Sequence, residues 1–157
     1  MDPHALAEEL RLAPLPVEGG LFRSTYVDEY SSAIYYLLIR PDVSAMHRLP
    51  STEIFHYYAG SAAQMLLLHA DGIISEPRIG TDLARGESPQ VIVPAGVWQG
   101  TETLGDWTLL GTTQAPPYTD ARFEPGRRAG LIRDWPRAAE RIRRLTPSPS
   151  SRYRGRE

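Results

Sequence analysis

After Gly19-Gly20 the chain breaks into short runs rich in β-branched and aromatic residues, separated by Gly, Pro, Asp and Ser: 21–27, 33–40, 53–59, 63–69, 73–78, 90–94 and 107–115. Runs of this length and composition predict strands, and seven of them in succession predict an antiparallel sandwich or barrel. Asp71-Gly72, between two apolar runs, predicts a tight hairpin turn. The polar, Gly-containing stretch from Gly80 to Pro89 predicts a surface loop. Helices are expected only at the two ends. Residues 3–13 place Leu6, Leu10 and Ala13 on one face and stop before Pro14 and Pro16; a second helix is expected near 135–145, entered through Asp134-Trp135-Pro136.

A length of 157 residues fits a single domain, expected over 1–146, followed by a tail, 147–157, too poor in apolar residues to order itself. The longest apolar stretches, Ala33-Ile34-Tyr35-Tyr36-Leu37-Leu38-Ile39 and Met65-Leu66-Leu67-Leu68, are far short of a membrane span, and the first residues lack the basic start and apolar run of a secretory signal. A soluble, cytoplasmic protein without a membrane partner is the expectation.

Three residue types are missing altogether: cysteine, lysine and asparagine, so all 17 basic residues are arginine. Their absence excludes disulfides, thiolate nucleophiles, cysteine-ligated metal centres, Schiff-base chemistry and the phosphate-binding lysine of nucleotide loops. Depletion of lysine and asparagine is also what a GC-rich genome produces. The net charge of −2 conceals a split: residues 1–121 carry 6 Arg against 15 Asp and Glu, and residues 122–157 carry 11 Arg against 4. Arg137, Arg141 and Arg144 recur at helical spacing beside Ala138, Ala139, Ile142 and Leu145, the pattern of an amphipathic helix with a solvated face. No nucleic-acid partner is expected from it.

The stretch His47-Arg48-Leu49-Pro50-Ser51-Thr52-Glu53-Ile54-Phe55-His56-Tyr57-Tyr58-Ala59-Gly60, with Pro94-Ala95-Gly96-Val97-Trp98-Gln99 further on, resembles the two motifs of the cupin superfamily. His47, Glu53 and Gly60 fall on a histidine, the glutamate and the glycine of the first motif, and Pro94 and Gly96 on the second. Leu49 and Gln99 stand where the resemblance expects two further histidines. The order Glu18-Gly19-Gly20, His47-Arg48-Leu49, Glu53-Ile54-Phe55-His56 and Val93 to Trp98 resembles the cupin_5 (DUF985) subfamily, over about residues 7–136. The resemblance implies an all-β, double-stranded β-helix (cupin jelly-roll barrel), often a homodimer, in a superfamily of sugar epimerases, isomerases, dioxygenases and storage proteins. A fold shared so widely does not name a function.

Strand alternation adds a placement. If Glu53 points into the barrel, so do Phe55, Tyr57 and Ala59, while Ile54, His56 and Tyr58 face the other way unless a bulge intervenes. His47 and Glu53 then converge beside aromatics, with Trp98 or Gln99 arriving from the second motif, a composition suited to a small-molecule site. His47, Glu53 and Tyr57 are the candidate catalytic residues: an imidazole titrating near neutrality, a neighbouring carboxylate and a phenol suffice for proton removal and return on a carbonyl-bearing substrate. Arg23, Arg48, Phe55, Trp98 and Gln99 are the candidate substrate pocket, the two guanidiniums suggesting an anionic substrate. An isomerase, epimerase or cyclase, serving specialised metabolism, is the leading expectation. The alternatives are an oxygenase or lyase using iron, manganese, nickel or zinc on His47, Glu53 and Gln99, and a binding protein without catalysis. His56, on the opposite parity, is expected in an inter-strand or subunit contact, and His4 and His69 at the surface or an edge.

Overall fold

The computed structural model describes residues 1–148. One sheet runs in the order β1 (Ala13–Pro14), β2 (Leu21–Val27), β3 (Ser32–Ile39), β12 (Trp107–Gln114), β5 (Glu53–Gly60), β10 (Gln90–Val93). The other runs β13 (Glu124–Pro125), β4 (Val43–Arg48), β11 (Trp98–Thr103), β6 (Ala63–Leu68), β8 (Arg78–Ile79), β9 (Glu87–Ser88), with β7 (Ile74–Ser75) added to β6. Pairing is antiparallel throughout except between β8 and β9. The two sheets face each other across Tyr36, Leu38, Phe55, Met65, Leu67, Ile79, Val91, Val93 and Leu110, the sandwich that the short-run pattern predicts and the jelly roll that the cupin resemblance implies. Among the described residues no helix is long and apolar enough to cross a membrane.

Besides the two-residue strands β1, β9 and β13, two long strands escape the periodicity reading, β4 and β11. Both are buried on both faces: their inner sides carry Ser44, His47, Gln99 and Thr101, and their outer sides are covered by C-terminal helices. Neither a polar–apolar alternation nor a continuous apolar run survives in such strands. The run 73–78 yields only β7 and β8, separated by Glu76-Pro77, and the loop 80–89 contains a single 3-10 turn, Leu83–Arg85, and β9. Asp71-Gly72 forms the expected turn, with Gly72 at φ 82°.

The helices differ from expectation at both ends. α1 is only Pro3–Glu9, capped by Asp2, and Ala13–Pro14 pairs with β2 instead of continuing the helix. The turn after it takes Arg11 to φ 54°, which ends helical geometry. At the C-terminus a single helix over 135–145 is replaced by α2 (Arg128–Asp134), a 3-10 turn at Pro136–Ala138 and α3 (Ala139–Arg144). Pro136 has no N–H to continue α2, so the chain restarts there, with Trp135 donating its indole N–H to the His69 carbonyl at 3.0 Å. Leu131, Trp135, Ala138, Ile142 and Leu145 then bury the outer face of β4, β11 and β6. Of the tail expected from residue 147, positions 149–157 lie outside the described residues.

β5 keeps the expected alternation only for its first half. Its register against β12 shifts between Tyr57↔Leu110 and Ala59↔Leu109, so Tyr58 is an extra residue lying over Gly111, where any side chain would collide with the Tyr58 ring. Beyond this bulge Ala59 faces outward onto α1, beside Ala7, Leu37 and Leu109, contrary to the inward placement that strict parity gives it.

Candidate functional site

His47 reaches the interior from β4 through a second irregularity. Opposite β4, Gln99 pairs with His47 and Thr101 with Ser44, so three steps on β4 match two on β11. Ser44 and His47 are an odd number of residues apart and would alternate to opposite faces. The extra residue brings both to one carboxylate: Ser44 Oγ donates to Glu18 Oε1 at 2.7 Å, and His47 Nε2 lies 3.9 Å from the same oxygen. The backbone groups released by the bulge are all bonded. Ala45 N–H donates to the Glu18 carbonyl, Met46 N–H to the Leu145 carbonyl, Gly126 N–H to the Met46 carbonyl, and His47 Nδ1–H to the Ala45 carbonyl at 2.7 Å.

Glu18 is the member that sequence reasoning did not assign. Its signal was the Glu18-Gly19-Gly20 triplet, whose physical basis is plain in the loop. Gly19 and Gly20 take φ of 97° and 77°, and a Cβ would lie 2.4 Å from the Val43 carbonyl at Gly19 or 2.6 Å from the Tyr36 ring at Gly20. Asp42 fastens the loop by accepting from Gly20 N–H at 2.7 Å, and the buried Tyr36 hydroxyl donates to the Gly19 carbonyl at 2.7 Å.

Glu53 opens β5 at 5% exposure. Its Oε2 accepts from Gln99 Nε2 at 2.9 Å, and Gln114 Nε2 approaches its other oxygen at 3.5 Å. Desolvation, with the nearby Glu18 charge adding to it, raises its pKa to about 7 against the opposing effects of His47 and the Gln99 and Thr112 hydrogen bonds.

Glu18, His47 and Glu53 share a cavity of about 150 Å³, walled by Leu15, Phe22, Ile34, Tyr36 and Leu49, with Ser24, Val27 and Tyr118 toward its mouth. Phe123 stacks on the His47 imidazole, centroids 5.0 Å apart and planes 20° from parallel.

The other sequence candidates lie elsewhere. Tyr57 faces the interior core but its hydroxyl donates to the Gly60 carbonyl at 2.6 Å and does not line the cavity. Phe55 is a fully buried core ring. Arg23 and Arg48, expected to hold an anion, are on the outside: Arg23 covers the Tyr35 ring, and Arg48 covers the Trp98 ring while pairing with Glu124 at 2.7 Å. Trp98 thus belongs to the helix-covered face, not the pocket. Gln99 touches the site through Glu53 alone. His56 makes inter-strand contacts, Nε2 with Thr113 Oγ1 at 3.0 Å and Nδ1 with Gln90, and His69 bonds Ser75 at an edge.

The donors do not suit the divalent metal that the cupin resemblance implies. Among the described residues no three His, Asp or Glu side chains gather as a ligand set. Leu49 supplies no lone pair where a second imidazole is expected, and Gln99 turns its N–H, not its oxygen, toward Glu53. The Gln99 oxygen is buried without a hydrogen-bond partner.

Comparison with known proteins bears on the fold and the family. Residues 4–125 match the model of a family described as cupin superfamily (DUF985). Protein SO0799 from Shewanella oneidensis is 29% identical in its solved structure, with a TM-score of 0.88 over 94% of this chain and 98% of that one. An uncharacterised Saccharomyces cerevisiae protein, YML079W, is 30% identical over 91 residues, 57% of this chain but only 45% of its own length. Oxalate decarboxylase from Bacillus subtilis superposes with a TM-score of 0.60 at 12% identity, over 85% of this chain and 37% of the enzyme. That last likeness shows a shared fold alone.

Proposed function

We propose, from the premise that this chain belongs to the DUF985 family of the cupin superfamily, that it is a small-molecule enzyme of the isomerase, epimerase or cyclase kind, working by proton transfer between His47, Glu53 and a bound substrate. One observation carries the reading. A carboxyl that titrates near 7 and an imidazole with its Nε2 unblocked face the same small cavity, whose other walls are mostly apolar.

The roles follow from the hydrogen bonds. Donation of Nδ1–H to Ala45 fixes the neutral tautomer of His47 with its lone pair on Nε2, directed toward Glu18. Nε2 accepts a proton from carbon adjacent to a carbonyl, and the Glu18 carboxylate stabilises the imidazolium that results. Glu53, protonated, gives its proton to the carbonyl oxygen, so the substrate passes through a neutral enol and no free enolate charge is left in the apolar cavity. Return of the His47 proton to the neighbouring carbon, with the other hydroxyl proton of the enediol passing to Glu53, isomerises a hydroxy-carbonyl substrate; return of a proton to the opposite face of the original carbon, with the enol hydroxyl proton going back to Glu53, epimerises it. Phe123 holds the imidazole plane and shields it from water.

Solvent exchange tests this whatever the product. In D2O, hydroxy-carbonyl compounds of up to about ten heavy atoms, a size matched to a cavity that would hold a benzene-sized guest, are monitored by NMR for loss of the proton next to the carbonyl. Exchange catalysed by the wild type should fall by about 10²–10⁴ in His47→Ala and Glu53→Gln. Exchange that persists in both variants removes these residues from the chemistry, and binding without exchange across the set favours a ligand-binding cupin.

A further inference from the structure

We propose that the ligand of this cavity carries no negative charge: it is a neutral or cationic molecule that donates hydrogen bonds through hydroxyl or amine groups. The inference deepens the reading above and rests on it for the location of the ligand, though not for the reaction.

The charged groups lining the cavity are two carboxyls and one imidazole, Glu18, Glu53 and His47, and no arginine is among the lining residues. Lysine is absent from the whole chain. The arginines nearest in sequence to the site are turned away, Arg23 onto Tyr35 and Arg48 onto Trp98 and Glu124, because each follows or precedes a cavity-facing residue by one step on its strand. Several neutral donors around the cavity are already committed. The Tyr36 hydroxyl is given to Gly19, the Ser44 hydroxyl to Glu18, and the amide N–H groups of Gln99 and Gln114 to Glu53. At the mouth, Tyr118 is held in its phenol form well above the ordinary range by its burial, by Asp120, and by Glu18 and Glu53, so the acidic field extends to the entrance.

Open acceptors point the same way. Glu18 has a second carboxylate oxygen, and Glu53 offers lone pairs in its ionised form; both line the cavity. A hydroxyl or ammonium satisfies such groups; a carboxylate or phosphate would lie against two acidic side chains in a desolvated space with His47 alone, and no guanidinium or ammonium, to offset it. The cavity thus differs in ligand chemistry from what the name oxalate decarboxylase says of its fold neighbour, whose substrate is a dicarboxylate.

Saturation-transfer NMR on the full chain decides the matter, using a fragment set of alcohols, amines and carboxylates matched in size, among them dihydroxyacetone against pyruvate, and ethanolamine and ethylene glycol against glycolate and oxalate. The exposed mouth residue Ser24 gives a blocking variant, Ser24→Trp, that locates each signal, and Glu18→Gln removes one charge without changing shape. The expected result is Ser24→Trp-sensitive signals from alcohols and amines, carboxylates bound at least tenfold more weakly, and that ratio narrowed in Glu18→Gln. Carboxylates bound in the cavity as tightly as their alcohol partners would overturn the proposal, as would the lack of any Ser24→Trp-sensitive alcohol or amine. Failure of proton exchange with this selectivity intact would sink the reaction and spare the ligand class; exchange on a carboxylate-bearing substrate would do the reverse.

Discussion

The two faces of the β4–β11 pair are built from opposite materials. Inward, Ser44, His47, Gln99 and Thr101 give a polar floor beside Glu18 and Glu53, with no guanidinium among the residues that line the cavity. Outward, Val43, Met46 and Trp98 meet Leu131, Trp135, Ile142 and Leu145, and arginines crowd the rim: Arg141 pairs with Glu76 and Glu102, Arg144 with Glu102, and Arg48 with Glu124. The charge split along the sequence becomes, in the folded chain, a split across a sheet. The basic C-terminal quarter, through Arg141 and Arg144, pairs with acids on the outside of the barrel, and no arginine lines the cavity of the interior carboxyls. On this strand pair, apolar packing lies on the outer face and titration chemistry on the inner one.

The comparison predicts different responses to substitution on the two sides. On the outer face, Ile142 is fully buried, and Ile142→Ala should destabilise by about 3–4 kcal/mol through lost burial and an unfilled cavity, measured by urea unfolding, at a cost independent of pH. A loss below about 1 kcal/mol would mean that the helices are an appendage, not a wall.

On the inner face the dependence is on pH. Glu53 binds its proton more tightly in the folded chain, about 7, than in the unfolded one, 4.5. The favourable contribution is therefore complete below pH 4.5 and lost as pH rises through 7, a span of about 3 kcal/mol at 1.36 kcal/mol per pKa unit. Wild type should lose that much relative to Glu53→Gln between pH 4 and pH 9, and parallel pH profiles for the two proteins would refute the burial argument. The same titration should lower proton-exchange activity above about pH 7, where Glu53 no longer holds a proton to donate.

What could be read from the sequence divides along the same line. Glu53 and His47 were legible because they fall on the histidine and glutamate positions of the cupin motif. The second half of β5 was not, because the Tyr58 bulge depends on Gly111, more than fifty residues away, giving it room. β4 and β11 lacked a periodic signal because helices cover the face that water would otherwise mark with polar residues. Glu18 stood in a recognisable triplet, yet its role follows from a loop closed by Asp42 and a bulge in β4, contacts no local pattern encodes. The placements of Arg48 and Trp98 were recoverable. Each is adjacent to an inward residue, His47 and Gln99, so alternation alone sends both outward, and in the structure they meet there.

Smaller effects sharpen the contrast at the rim. Glu102 serves both Arg141 and Arg144, with Arg141 only 17% exposed. Glu102→Gln should cost about 1 kcal/mol, above an ordinary surface pair because Arg141 keeps Glu76 but loses its second carboxylate in a half-buried setting. The cost should shrink in high salt.

The smallest stability effect makes the sharpest distinction between the faces. Arg48 follows His47 directly, and a reading by sequence proximity would make it a substrate clamp. Its guanidinium instead lies 4.6 Å from the Trp98 ring centroid and pairs with Glu124, both partners well exposed, so Arg48→Ala should cost about 0.5–1 kcal/mol from the lost stacking and ion pair. Because the side chain never reaches the cavity, proton exchange and ligand affinity should stay within about twofold of wild type, against the 10²–10⁴ loss expected one residue earlier in His47→Ala. A drop in exchange comparable to that of His47→Ala, at unchanged stability, would show that the cation does reach the bound molecule. The separation of acids inside from arginines outside would then fail at the one position where the two faces are adjacent in sequence.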